Sequence, residues 1–139
     1  MTNTLPENIY IDIDGVILTR GGQPALHLDR FLKYVLSRYS VFWLTTRCHG
    51  STEYTVRYLS NFLLPESVEI IKKIKPTSFQ IDKTEAIDFG KSFFWLDNEL
   101  FDSEKNTLRK KNKYDSWIEI DLLANPDQLA HLVTGKLHF

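Results

Sequence analysis

Asp12 and Asp14 stand two positions apart, where the short apolar run Ile9-Tyr10-Ile11 gives way to Asp12-Ile13-Asp14-Gly15. On a regular strand both carboxylates point to the same face, and acids so close repel one another unless a cation lies between them. Three more chemical groups recur at apolar-to-polar transitions. Asp97 follows Phe93-Phe94-Trp95-Leu96, Thr45 follows Val41-Phe42-Trp43-Leu44, and Lys83 opens a short helical stretch before Asp97. A few hard oxygen ligands completed by water suit Mg²⁺. A lysine and a hydroxyl supply the charge and the donor that a phosphoryl group needs, and a carboxylate nucleophile passing through an aspartyl-phosphate is a known solution to phosphoryl transfer. One lysine against three acids makes a divalent cation the simplest charge balance.

The elements that must carry these groups can be read from hydrophobic spacing. Strands are expected at residues 9–11, 41–44, 68–71, 93–96 and 117–120, the third being the weakest. Helices are expected at 26–37, 52–63, 83–89, 103–113 and 126–133, the last with Asn125 as its cap. Alternation of this kind predicts an α/β domain, with a mostly parallel five-stranded sheet between helical layers. The second and fourth strands are apolar at successive positions, as strands buried on both faces are. Ligands of open α/β sheets bind outside the carboxyl ends of the strands, which is where Asp12, Asp14, Thr45 and Asp97 fall.

The chain has 139 residues, 42% hydrophobic and 25% charged, with a formal net charge of −1. That is the make-up of one globular domain, expected to span residues 1–139, with no overall basic field directed at nucleic acid. The single cysteine, Cys48, excludes an internal disulfide and a cysteine-rich zinc site, and reads as a small buried hydrophobe. No apolar run is long enough for a membrane span. The start, MTNTLPEN, lacks a basic region leading into an apolar stretch, so the cytoplasm is the expected location.

Four motifs in this order resemble those of the haloacid dehalogenase (HAD) superfamily. Asp12-Ile13-Asp14-Gly15-Val16 matches the first, Phe42-Trp43-Leu44-Thr45 the second, Lys83 in Asp82-Lys83-Thr84-Glu85 the third, and Asp97-Asn98-Glu99-Leu100-Phe101-Asp102 the fourth. The resemblance spans roughly residues 8–121. It implies a three-layer Rossmannoid fold and a Mg²⁺-dependent phosphomonoester phosphatase. Asp12 would attack phosphorus, and Asp14 would serve as acid and then base. Thr45 and Lys83 would hold the phosphoryl oxygens. Asp12, the backbone carbonyl of Asp14, and Asp97 would hold Mg²⁺. Asn98 stands where the family often has a second acid, leaving that role to Glu99 or Asp102. Lys72, Lys73 and Lys75 compete weakly with Lys83 for the third motif.

Residues 15–40 and 46–82 leave no room for a cap module beyond core elements, so the site is expected to be open. An open site admits macromolecular substrates, nucleic-acid ends among them, and suits a homo-oligomer in which a neighbour acts as lid. Arg47 and His49 follow Thr45 and either touch the leaving group or remain solvated. Arg109-Lys110-Lys111-Asn112-Lys113 reads as a solvated helix end, and Trp43, Trp95 and Trp117 as core. A phosphotransferase or nucleic-acid-end phosphatase would use the same core chemistry. A non-catalytic phospho-receiver or regulatory domain is the reading from another class. Against it stands the expected third strand, which ends in Lys72-Lys73 instead of an acid.

Overall fold

The computed structural model describes residues 6–135. The expectation drawn from the first residues of the chain therefore lies partly outside the described residues. Four strands, all parallel, form one sheet: β1 (Asn8–Ile11), β2 (Ser40–Trp43), β3 (Phe93–Asp97) and β4 (Trp117–Glu119), in the order β2-β1-β3-β4. Successive side chains of a strand point to opposite faces, and the sheet accordingly divides two cores. Ile9, Ile11, Val41, Trp43 and Leu96 enter one; Tyr10, Leu44, Phe93 and Trp95 enter the other.

The first core is covered by α1 (Leu28–Arg38), α2 (Thr52–Leu59), α3 (Pro65–Ile71) and α5 (Gln128–Thr134). Leu28, Phe31, Leu32 and Val35 form the buried stripe of α1 at the i, i+3, i+4, i+7 spacing of an amphipathic helix. The second core has thinner cover: a 3₁₀ helix, Lys83–Ala86, and α4 (Asp102–Lys110), which contributes Leu108. Among the described residues no helix is long and apolar enough to cross a membrane.

The expected third strand is a helix. Residues 68–71 complete α3, which starts with Pro65 in its first turn and buries Ser67 and Ile71 one turn apart. A stretch as short as Val68-Glu69-Ile70-Ile71 does not itself distinguish strand from buried helix; a proline at the first helical position is what decides it. A vestige of a fifth strand lies further on. Lys75 forms a one-residue parallel bridge to Phe42, donating its N–H to the Val41 carbonyl and accepting from the Trp43 N–H, both at 2.9 Å. Pro76, without an N–H, ends the pairing there. At the last helix the expected cap also differs. Asp127, not Asn125, precedes α5, and its carboxylate makes no cap bond but holds His27 Nε2 at 2.8 Å.

The strand order has one consequence for function. The chain passes from β1 to β2 on one side of it, then returns to place β3 on the other. The crevice between β1 and β3 is thus the topological switch point, where parallel sheets bind ligands.

Candidate active site

Register brings the acids to that crevice. Ile11 is level with Leu96, and Asp12 donates its N–H to the Leu96 carbonyl at 3.0 Å. Asp12 and Asp97 are therefore the next residues on adjacent strands, both pointing to the carboxyl edge although far apart in the chain. Both are buried, Asp97 almost wholly. Lys83 lies between them: its ammonium donates to Asp97 Oδ2 at 2.7 Å and to Asp12 Oδ2 at 3.2 Å. Of the competing lysines, Lys72 pairs with Glu69, and Lys75 lies over the Phe42 ring at the sheet edge.

The electrostatics follow from burial. Desolvation and the Asp12 charge push Asp97 up to about 7 despite the opposing pull of Lys83. Burial pulls the Lys83 ammonium down, but the attraction of Asp12 and Asp97 outweighs it and holds the group above its ordinary range. The remaining carboxylate oxygens are oriented by backbone. Asp12 Oδ1 accepts from the Ile13 N–H at 2.8 Å, and Asp97 Oδ1 from the Glu99 N–H at 3.2 Å.

Asp14 takes a different position. It is exposed, and its Oδ2 accepts from Arg47 Nε at 3.2 Å. Arg47 also stacks on Tyr58, 4.7 Å from the ring centre. The hydrogen bond to Asp14 is the main influence that holds the Arg47 guanidinium protonated above the ordinary range, against some desolvation. The three acids are thus faced by two cations, Lys83 and Arg47, instead of the one expected. Thr45 is buried, with Oγ1 accepting the Arg47 N–H at 3.2 Å. It follows the end of β2 and shares the loop that carries Arg47. His49, on the same loop, has φ 50° and meets the Tyr54 ring instead of the acids.

Gly15 is required by geometry. Its φ is +85°, and an added Cβ would lie 2.7 Å from the Asn98 amide, so the turn after Asp14 and the turn after Asp97 are in contact. Asn98 thereby acts as a spacer between the two motifs. No hydrogen bond or ion pair joins the Glu99 or Asp102 side chains to Asp12, Lys83 or Asp97 among the described residues. The acid that does reach this region is Glu104. It is buried in the first turn of α4 and accepts the Lys83 N–H at 3.0 Å and the Phe101 N–H at 2.9 Å. Sequence reasoning missed it; the signal was a glutamate three residues after the helix cap position.

Lys83 is held from its other side by a capping box. Asp82 accepts from the Thr84 N–H, and Glu85 from the N–H groups of Gln80, Ile81 and Asp82. Burial raises the Asp82 acid, but hydrogen bonds from Thr84 and Ser103 outweigh it and leave it below the ordinary range; the backbone donors do the same for Glu85. Trp117, expected in the core, is half-buried and donates its indole N–H to the Asp97 carbonyl at 3.1 Å. Trp43, Trp95 and Cys48 are buried as expected.

Glu104→Ala would leave two part-buried backbone donors without their acceptor, one of them on Lys83. Each bond to a charged acceptor contributes roughly 1.5–3 kcal/mol, so a loss of about 3–5 kcal/mol is expected, read by urea unfolding. Wild-type stability in the variant would show that Glu104 does not anchor this turn.

The donor set is compatible with Mg²⁺. Two carboxylates meet at one edge, and the Asp14 carbonyl accepts no backbone hydrogen bond from the described residues. Asp12 and Asp97 leave one negative charge beyond Lys83, and Asp97 is raised by its burial and by the Asp12 charge. A magnesium site of few protein oxygens and several waters asks for no more. No three His, Cys, Asp or Glu side chains gather into a metal cage among the described residues; the expected set, with only two carboxylates, needs none. No protein-family model, curated protein or solved structure matches the chain.

Proposed function

We propose that this chain is a Mg²⁺-dependent phosphomonoester phosphatase of the HAD type, without a separate cap, working through an aspartyl-phosphate on Asp12. One observation carries the reading: the Lys83 ammonium lies between the Asp12 and Asp97 carboxylates at the β1–β3 switch point. A nucleophile, a fixed cation and a further hard oxygen ligand then share one crevice.

In the first step an Asp12 carboxylate oxygen attacks phosphorus as the ester P–O bond breaks, and Asp14 gives its proton to the departing alkoxide. In the second, Asp14 takes a proton from water as that water attacks phosphorus. The P–O bond to Asp12 breaks, releasing inorganic phosphate and restoring the carboxylate. Asp14 suits this work because it stands exposed beside the crevice with its carboxylate oriented by Arg47. Lys83 and the Thr45 hydroxyl would hold the non-bridging oxygens. Mg²⁺, held by Asp12, Asp97 and the Asp14 carbonyl, would add positive charge against those oxygens.

Residues 68–71 are helical, so the expected contrast with a receiver at a third strand falls away. The Lys75 bridge lies outside β2, so the chain runs outward before crossing back to β3.

The reading is tested by hydrolysis of phenyl phosphate with and without Mg²⁺, and by trapping a hydroxylamine-labile phosphate on Asp12. Turnover that persists undiminished in a chelator would remove the metal from the mechanism. Mg²⁺ should also raise the melting temperature of the wild type by mass action. Asp97→Ala should abolish most of that rise, and an equal rise in the variant would take Asp97 out of the metal set.

A further inference from the structure

Beside the reactive acids lies a cleft of about 610 Å³. One wall is the tip of the hairpin that follows Asp14, with Arg20 at its end; the other is the loop between β4 and α5. Asn98 and Asp14 close the end nearest the site. Both walls are braced before any ligand arrives. In the hairpin, Thr19 donates its N–H to the Gln23 carbonyl at 2.8 Å and accepts from the Gly22 N–H at 2.9 Å. In the loop, the Gln128 amide accepts the Asp121 N–H at 2.7 Å and donates to the Glu119 carbonyl at 2.9 Å. Asp121 Oδ1 accepts the Ala124 N–H at 3.0 Å.

Resting on the phosphatase reading, we infer that this cleft is the leaving-group subsite, and that it takes the neutral polyhydroxyl portion of a sugar or polyol monophosphate. Its volume falls within the roughly 300–1,000 Å³ of small-molecule sites. Its chemistry is two-sided. Arg20 and Asn98 offer donors and Asp121 offers an acceptor, a set that matches neighbouring hydroxyls. Leu122, Leu123 and Pro126 offer apolar surface to the C–H face of the same molecule. Arg20 makes no hydrogen bond or ion pair with the described residues, so its donors are free for a ligand. Charge argues against a polyanion. Asp14, paired with Arg47, and Asp121 line the cleft with Arg20, and the adjoining cleft adds Glu99 and Glu119 against Lys105. A second phosphate, as in an oligonucleotide, would meet more acids than bases.

The test compares kcat/KM for hexose and pentose monophosphates, phenyl phosphate, a 5′-phosphorylated oligonucleotide and a phosphopeptide. The sugar phosphates should lead. Losing a hydrogen bond to a charged group costs enough to reduce the ratio of sugar phosphate to phenyl phosphate by about tenfold in Arg20→Ala, through KM more than kcat. Asp121→Asn, which can keep the Ala124 bond, should lower the same ratio. A preference for the oligonucleotide or the phosphopeptide, or a ratio that neither variant moves, overturns the subsite. Calorimetric binding of a hexose monophosphate to Asp12→Asn separates this claim from the phosphatase reading. Binding weakened by adding Arg20→Ala supports the subsite even if the wild type turns nothing over, and no binding rejects it.

Discussion

Asp12→Asn should lose essentially all phosphomonoester turnover while remaining folded. The amide keeps the shape and can still accept the Ile13 N–H that Asp12 Oδ1 now accepts. It cannot form an acyl phosphate, and it is a weaker ligand for a hard cation. Loss of a covalent nucleophile typically costs on the order of 10³–10⁶ in kcat, because the remaining groups then act without the step they serve. The fold should tolerate the change well. Asp12 is one of the two acids sharing Lys83, and its charge is a cause of the raised Asp97. Neutralising it leaves a simple Lys83–Asp97 pair. Stopped-flow turnover and a thermal melt on the same sample decide the matter: near-wild-type hydrolysis with a normal melt would exclude Asp12 as nucleophile.

The second large effect is expected at Lys83, on stability as well as on activity. Lys83→Met keeps much of the side chain's length but removes the one cation between two buried carboxylates. Breaking a buried pair by deleting one partner costs about 3–5 kcal/mol, since an uncompensated charge stays behind. The pH dependence has a definite sign. Asp97 already has a folded-state value of about 7, above its ordinary 3.8, and loss of Lys83 removes an influence that lowers it. A carboxyl raised on folding binds more protons in the native state, so stability falls as pH rises from the unfolded value through the folded one. The variant should thus be least stable above neutrality and recover as pH is lowered toward 5. Urea titrations across that range test this. A deficit independent of pH would mean that Lys83 contributes packing and not charge compensation.

Much of the site was legible along the chain because each motif is local. An apolar run ending in an acid or a hydroxyl places that group at a strand's carboxyl end whatever the neighbouring strands do. Asp12, Thr45 and Asp97 were assigned to this edge in this way, and its place at a helix start distinguished Lys83 from three other lysines. The cover on both faces of β2 and β3 was equally readable from the unbroken apolar runs at 41–44 and 93–96. The expected strand at residues 68–71 failed because three apolar residues around Glu69 carry no usable period, and the Pro65 start of α3 outweighed them.

Residue types, their order and the alternating elements follow from the sequence itself, because backbone preference and hydrophobic period act over a few neighbours. Which acid meets which cation was decided by tertiary structure alone. Asp97 faces Asp12 only because β3 crosses back to the far side of β1, and Arg47 reaches Asp14 only because β2 lies on the near side. Glu104 reaches the Lys83 backbone from α4, and Trp117 holds the Asp97 carbonyl from the neighbouring strand. Such contacts depend on long-range register and on the direction of helix docking, which the free energy of the whole folded chain selects and no short stretch of sequence encodes.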